Sequence, residues 1–70
     1  MREIKNGDHI SVTGEPYVLI VDDAEPVMLE DADEPGPFIH VRQESFFYVP
    51  LAKVNMIFDA KTHIGEPYGR

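Results

Sequence analysis

Three short runs of this chain are apolar on both faces of the strands they would form. Tyr17-Val18-Leu19-Ile20-Val21 and Phe46-Phe47-Tyr48-Val49 show no polar alternation, and Val54-Asn55-Met56-Ile57-Phe58 nearly repeats the pattern. A strand that buries one face alternates apolar and polar residues. A chain of 70 residues has little material with which to cover both faces of three strands. Some of this surface is therefore expected to be taken up by a strongly curled sheet or by a second chain.

Seventy residues make one domain, 1–70, near the lower limit of independent folding. There is no cysteine, so disulfides and thiolate metal sites cannot help to hold the fold. Oligomerisation is the remaining common aid, and it suits the two-faced runs. No run is long enough for a transmembrane helix, and Met1-Arg2-Glu3-Ile4-Lys5 lacks the apolar core of a signal peptide. The expectation is a cytoplasmic protein without a membrane partner.

The net charge is −7, and it is unevenly spread. Between Asn6 and Val41 lie nine acids and no Lys or Arg; the six basic residues, Arg2, Lys5, Arg42, Lys53, Lys61 and Arg70, lie outside that stretch. Nucleic-acid binding draws its affinity from basic patches that neutralise phosphates, and this chain shows none within one monomer. An acidic surface favours basic protein partners, or serves only solubility.

Turn signals divide the chain. Asn6-Gly7 tolerates positive φ and separates a segment 2–4 from His9-Ile10-Ser11-Val12-Thr13, where Ile10 and Val12 share a face. Gly14-Glu15-Pro16 breaks the chain before the first two-faced run. Asp22-Asp23-Ala24-Glu25-Pro26 reads as a turn, followed by a short strand 27–30. Asp31-Ala32-Asp33-Glu34-Pro35-Gly36-Pro37 is the longest loop. Strands 38–42 and 46–49 flank a turn at Gln43-Glu44-Ser45. Pro50 ends the second of them, Leu51-Ala52-Lys53 fits a single 3₁₀ turn, and 55–59 is the last strand. Leu51, Val54, Ile57 and Phe58 also recur at helical spacing, so a helix over 51–61 competes. The β-branched and aromatic content favours the strand. The tail, 61–70, reads as loose or extended. Gly-Glu-Pro-Tyr occurs twice, at 14–17 and 65–68, in flanks that do not match.

Tyr48-Val49-Pro50-Leu51-Ala52-Lys53-Val54 resembles the end of SH3-like small barrels. In those barrels a strand runs into a proline, makes one 3₁₀ turn and enters the last strand at a valine four residues after the proline; Pro50 and Val54 match that spacing. Sm-like barrels close comparably. The resemblance covers about a tenth of the chain and implies the architecture alone. Lys53 stands where peptide-binding SH3 domains carry a ligand-contacting tyrosine, and the chain has no tryptophan, so binding of proline-rich peptides is not carried over.

Strand parity then bears on function. If Val49 points inward, Phe47 shares its face and Phe46 and Tyr48 point outward, where an exposed aromatic pair is a natural interaction hot spot. His9, His40 and His63 sit on separate segments without the organised spacing of a zinc site. Asp31-x-Asp33 begins like an EF-hand loop, but Pro35 occupies the third ligand position and no glutamate closes the loop. No nucleophile elbow and no Gly-rich phosphate loop is present.

The expected fold is all-β: a small, strongly bent antiparallel barrel of five or six strands, SH3-like or Sm-like, with a single 3₁₀ turn after Pro50. The expected function is a non-catalytic binding or regulatory module, self-associating, with no cofactor and no metal. It would act through protein–protein contacts at Phe46 and Tyr48, rimmed by Asp31, Asp33 and Glu34, and would occlude a basic surface of a partner. One alternative is an oligomer that binds a nucleotide or other anion between protomers through His40, Arg42, Lys53 and the aromatics. Another is an Sm-like RNA-binding ring.

Overall fold

The structure is a computed structural model that describes residues 3–69. Met1, Arg2 and Arg70 lie outside the described residues, and with them the first position of the expected 2–4 segment and the last of the tail. Six strands follow one another: β1 (His9–Val12), β2 (Leu19–Val27), β3 (Phe38–Arg42), β4 (Phe46–Pro50), β5 (Val54–Phe58) and β6 (Gly65–Pro67). A 3₁₀ turn, Leu51–Lys53, joins β4 to β5. Every neighbouring pair is antiparallel, in the order β4-β3-β2-β1-β5-β6. The fold class is thus all-β. The sheet is not closed, because β4 and β6 are its edges.

The turns explain the order. Gly7 has φ of 91°, a conformation that glycine adopts without the Cβ penalty. The chain reverses there, and Asp8 pins it: its Oδ2 accepts from the Lys5 amide at 2.8 Å while its own amide donates to the Lys5 carbonyl at 3.0 Å. Asp8 is the one buried charged residue among those described. Its carbonyl also accepts from the Val21 amide, and Gly7 donates to the Val21 carbonyl, both at 2.8 Å, so the turn is stitched to β2.

The core lies on one face of the sheet. Ile10, Val12, Leu19, Val21, Ile39, Val41, Val49, Val54 and Ile57 form a single buried cluster, with Ile4, Ala24, Phe47, Leu51 and Tyr68 packed against it. No helix longer than the 3₁₀ turn and no second sheet occurs among the described residues. Ile10, Ile39 and Ile57 are nevertheless fully shielded from solvent. Residues outside the strands, Ile4, Leu51 and Tyr68, supply part of that cover.

Two irregularities correct the expected segmentation. Asp22-Asp23-Ala24-Glu25-Pro26 is not a turn, and 27–30 is not a separate strand; β2 runs through to Val27. Its pairing with β3 slips between Val21 and Asp23, and again between Asp23 and Val27. Such bulges hold residues outside the regular ladder. The acids and Pro26, which lacks an N–H, are tolerated there without forcing the chain to reverse. Tyr17 and Val18 precede β2 and are exposed, so the first two-faced run contributes only its last three residues to a strand.

The third run forms β5, not a helix. Val54 and Ile57 both face the core although they are three residues apart, because Asn55 is bulged: Val12 pairs with Val54 while its neighbour Ser11 pairs with Met56. The tail is extended over Gly65–Pro67 and pairs with β5. An added Cβ at Gly65 would sit 2.5 Å from the Phe58 ring, so this glycine is there for space.

Candidate interaction face

Parity on β3 and β4 sends alternate side chains outward. On β3 the inward residues are Ile39 and Val41, leaving His40 and Arg42 outside; on β4, Val49 and the half-buried Phe47 face in, leaving Phe46 and Tyr48 outside. The register sets Tyr48 opposite His40 and Phe46 opposite Arg42. The His40 ring lies at the centre of this group. It stacks on Phe46 at 5.4 Å and 14°, and meets Tyr48 at 4.9 Å and 45°. Aromatic pairs in such offset geometry contribute about 0.5–1.5 kcal/mol beyond their burial.

Asp22 completes the cluster from β2. Its Oδ2 lies 2.9 Å from His40 Nδ1. A carboxylate only accepts, so Nδ1 donates and Nε2 faces away. Both partners are partly exposed, at 28% and 40% of their side-chain area, and a pair so screened contributes at most about 1 kcal/mol. The bond orients the imidazole between the two rings more than it stabilises the fold. Phe46 remains 60% exposed and Tyr48 45%, despite these contacts.

The outer row continues across the sheet. Arg42 pairs with Ile20, Ile20 with His9, and His9 with Phe58. From the edge inward the row reads Phe46, Arg42, Ile20, His9, Phe58. Ile20, His9 and Phe58 are each half-buried.

The other residues named from the sequence lie elsewhere. Lys53 is held in the 3₁₀ turn, where its carbonyl accepts from the Thr13 amide at 2.9 Å and its Nζ pairs with Glu34 Oε1 at 2.9 Å. That is the Phe38 end of β3, opposite the Arg42 end, so Lys53 does not join His40 and Arg42. Asp31 and Asp33 are exposed on the loop that closes at the Val27–Phe38 pair, at the same far end. One open groove of about 660 Å³ lies beside the 3₁₀ turn, with Pro37, Leu51, Val54, Pro67 and Tyr68 among its lining residues, and none of His40, Arg42 and Lys53 reaches it.

Sequence reading missed Asp22, whose role needs the bulge that turns it toward β3. It grouped His40 with Arg42, Lys53 and the aromatics, but did not set His40 opposite Tyr48, because that pairing is a matter of register. Among the described residues no group of three or more His, Asp or Glu is placed to hold a metal, and no helix is long and apolar enough to cross a membrane. Searches of family models, curated proteins and solved structures returned no match to this chain.

Proposed function

We propose that the chain is a non-catalytic protein-interaction module that uses the outer face of β3 and β4. The observation that carries this reading is the exposed Phe46–His40–Tyr48 stack, held in place by Asp22. Large aromatic groups kept rigid and left in water are typical anchors of interfaces, since they bury much area at small entropic cost. The architecture is read as a partly open SH3-like barrel. A meander β1 to β4, the pairing of β1 with β5 and the 3₁₀ turn after Pro50 support that reading. The acidic loop, standing at the far end, acts as a steering charge for basic partners and not as part of the contact.

The test is site-specific photo-crosslinking in cells of the source organism. A photoreactive phenylalanine replaces Phe46 in one variant and Tyr17, an equally exposed control, in another. Discrete protein adducts from position 46 and not from position 17 are expected. Equal adducts from both, none from 46, or nuclease-sensitive adducts would overturn the reading.

A further inference from the structure

The two edges of the sheet are not alike. β6 has three residues and ends in Pro67, and short edges that end in proline resist further pairing. β4 has five residues, Phe46-Phe47-Tyr48-Val49-Pro50, and no charge among them. Charged side chains are the usual protection of an open edge, and β4 lacks them.

The hydrogen-bond phase of β4 can be read from its ends. Gln43 donates to the Ser45 carbonyl at 3.2 Å, and Leu51 donates to the Pro37 carbonyl at 3.0 Å. Between them the register runs without a bulge from Arg42–Phe46 to Phe38–Pro50. Antiparallel ladders alternate hydrogen-bonded and non-hydrogen-bonded pairs. Val41–Phe47 and Ile39–Val49 are therefore the bonded pairs. The amides and carbonyls of Phe46 and Tyr48 point away from the sheet, and these are the same two residues whose side chains are exposed.

We infer that the β4 edge is completed by β4 of a second copy of this chain, antiparallel, about a two-fold axis through Phe47; this rests on the reading of the β3–β4 face as an interaction surface. In that register Phe46 stands opposite Tyr48 of the second copy. The outward groups of the two residues, spaced by two, then satisfy one another reciprocally. Two aromatic pairs form on the outer face, flanked by the His40 rings. Charge on the strand does not select a basic segment over a second copy. β4 offers no acid to a cation, Asp22 is engaged with His40, and the acidic loop lies at the far end. Self-pairing brings no like charges together on the strand. Glu44, in the turn before β4, falls opposite Pro50 of the second copy, the end at which the acidic loop rejoins β3. The two Glu44 side chains are then about 20 Å apart, roughly twice the screening length in physiological salt.

The experiment combines native mass and amide hydrogen exchange on the unmodified chain from micromolar to millimolar concentration. Dimer formation should slow exchange at Phe46 and Tyr48 by about tenfold or more, while Phe47 and Val49 stay protected throughout. A chain that is monomeric at millimolar concentration overturns the inference, as does a dimer in which the Phe46 and Tyr48 amides still exchange freely. Tyr48→Pro removes an outward amide and no ladder bond, so it should weaken dimerisation about tenfold or more beyond Tyr48→Ser. Equal weakening by the two counts against strand pairing. Crosslinks from position 46 to other proteins in a chain that stays monomeric would refute the dimer and leave the interaction face standing.

Discussion

His40 Nδ1 and Asp22 Oδ2 meet at 2.9 Å across a bulge, and the imidazole so held is the plate on which Phe46 stacks. Because both side chains are partly exposed, the pair orients more than it stabilises. A double-mutant cycle of Asp22→Asn and His40→Ala, read by urea unfolding, should give a coupling of about 0.2–1 kcal/mol. Loss of either partner should weaken dimerisation more than it lowers stability. A coupling several times larger would mean that the pair is buried in solution, in the dimer or otherwise.

Core and face should separate in mutagenesis. Ile39→Ala and Ile57→Ala each empty a site with no exposure and should cost about 2–5 kcal/mol. That is a large share of the roughly 5–15 kcal/mol typical of whole domains. Phe46→Ala and Tyr48→Ser remove exposed rings and should cost about 1 kcal/mol or less in the monomer. Thermal unfolding of the variants at low concentration measures both. If the two outer-face variants unfold the monomer, the register of β4 in solution is shifted by one residue.

Gly65→Ala should act through space alone, since its added carbon meets the Phe58 ring at 2.5 Å and the Met56 methyl at 3.4 Å. The expected cost is about 1–3 kcal/mol, with loss of amide protection confined to β6. In a Phe58→Ala background the same substitution should cost markedly less. An unchanged cost there would mean that the backbone and not the ring is what resists.

The 3₁₀ turn after Pro50 offers another measurement. Pro50→Ala should cost about 1 kcal/mol by freeing the unfolded chain, and Val54→Ala, in the core cluster, about 1–3 kcal/mol. Chemical denaturation resolves the order of the two. A Pro50→Ala cost well above that of Val54→Ala would place the proline in a native contact that its ring alone supplies.

Much of the sheet was legible because local chemistry and final structure agree. Asn6-Gly7, Gln43-Glu44-Ser45 and Pro50 do what those residues do in short peptides, and β3, β4 and the 3₁₀ turn follow from them. The β2 reading failed because Asp22-Asp23 and Pro26 favour reversal locally, while a paired β3 alongside absorbs them as bulges. The same effect hid the logic of β5. Its run looks apolar on both faces, yet Asn55 shifts the count so that Val54 and Ile57 share the inner one. Met56 and Phe58 keep only partial cover on the other. Bulges depend on two strands at once, so no single stretch of sequence displays them. The Asp22–His40–Phe46–Tyr48 group was half visible for that reason: the aromatics follow from parity within β4, and the acid and the imidazole only from register between strands.

The pairing of β1 with β5 also sets a timetable. His9–Val12 are made early, and one of their two neighbours, Val54–Phe58, is made late. As the chain leaves the ribosome, the hairpins of β2, β3 and β4 can form in turn, but Ile10 and Val12 lack half of their cover until residue 58 has emerged. Contacts of such long sequence separation are slow to form, because loop closure must come first. During that interval the uncharged β4 edge is already assembled and open. A nascent chain thus presents that edge to any strand beside it before its own core is complete, and if the edge pairs with a second copy, dimerisation and misassembly compete for the same five residues.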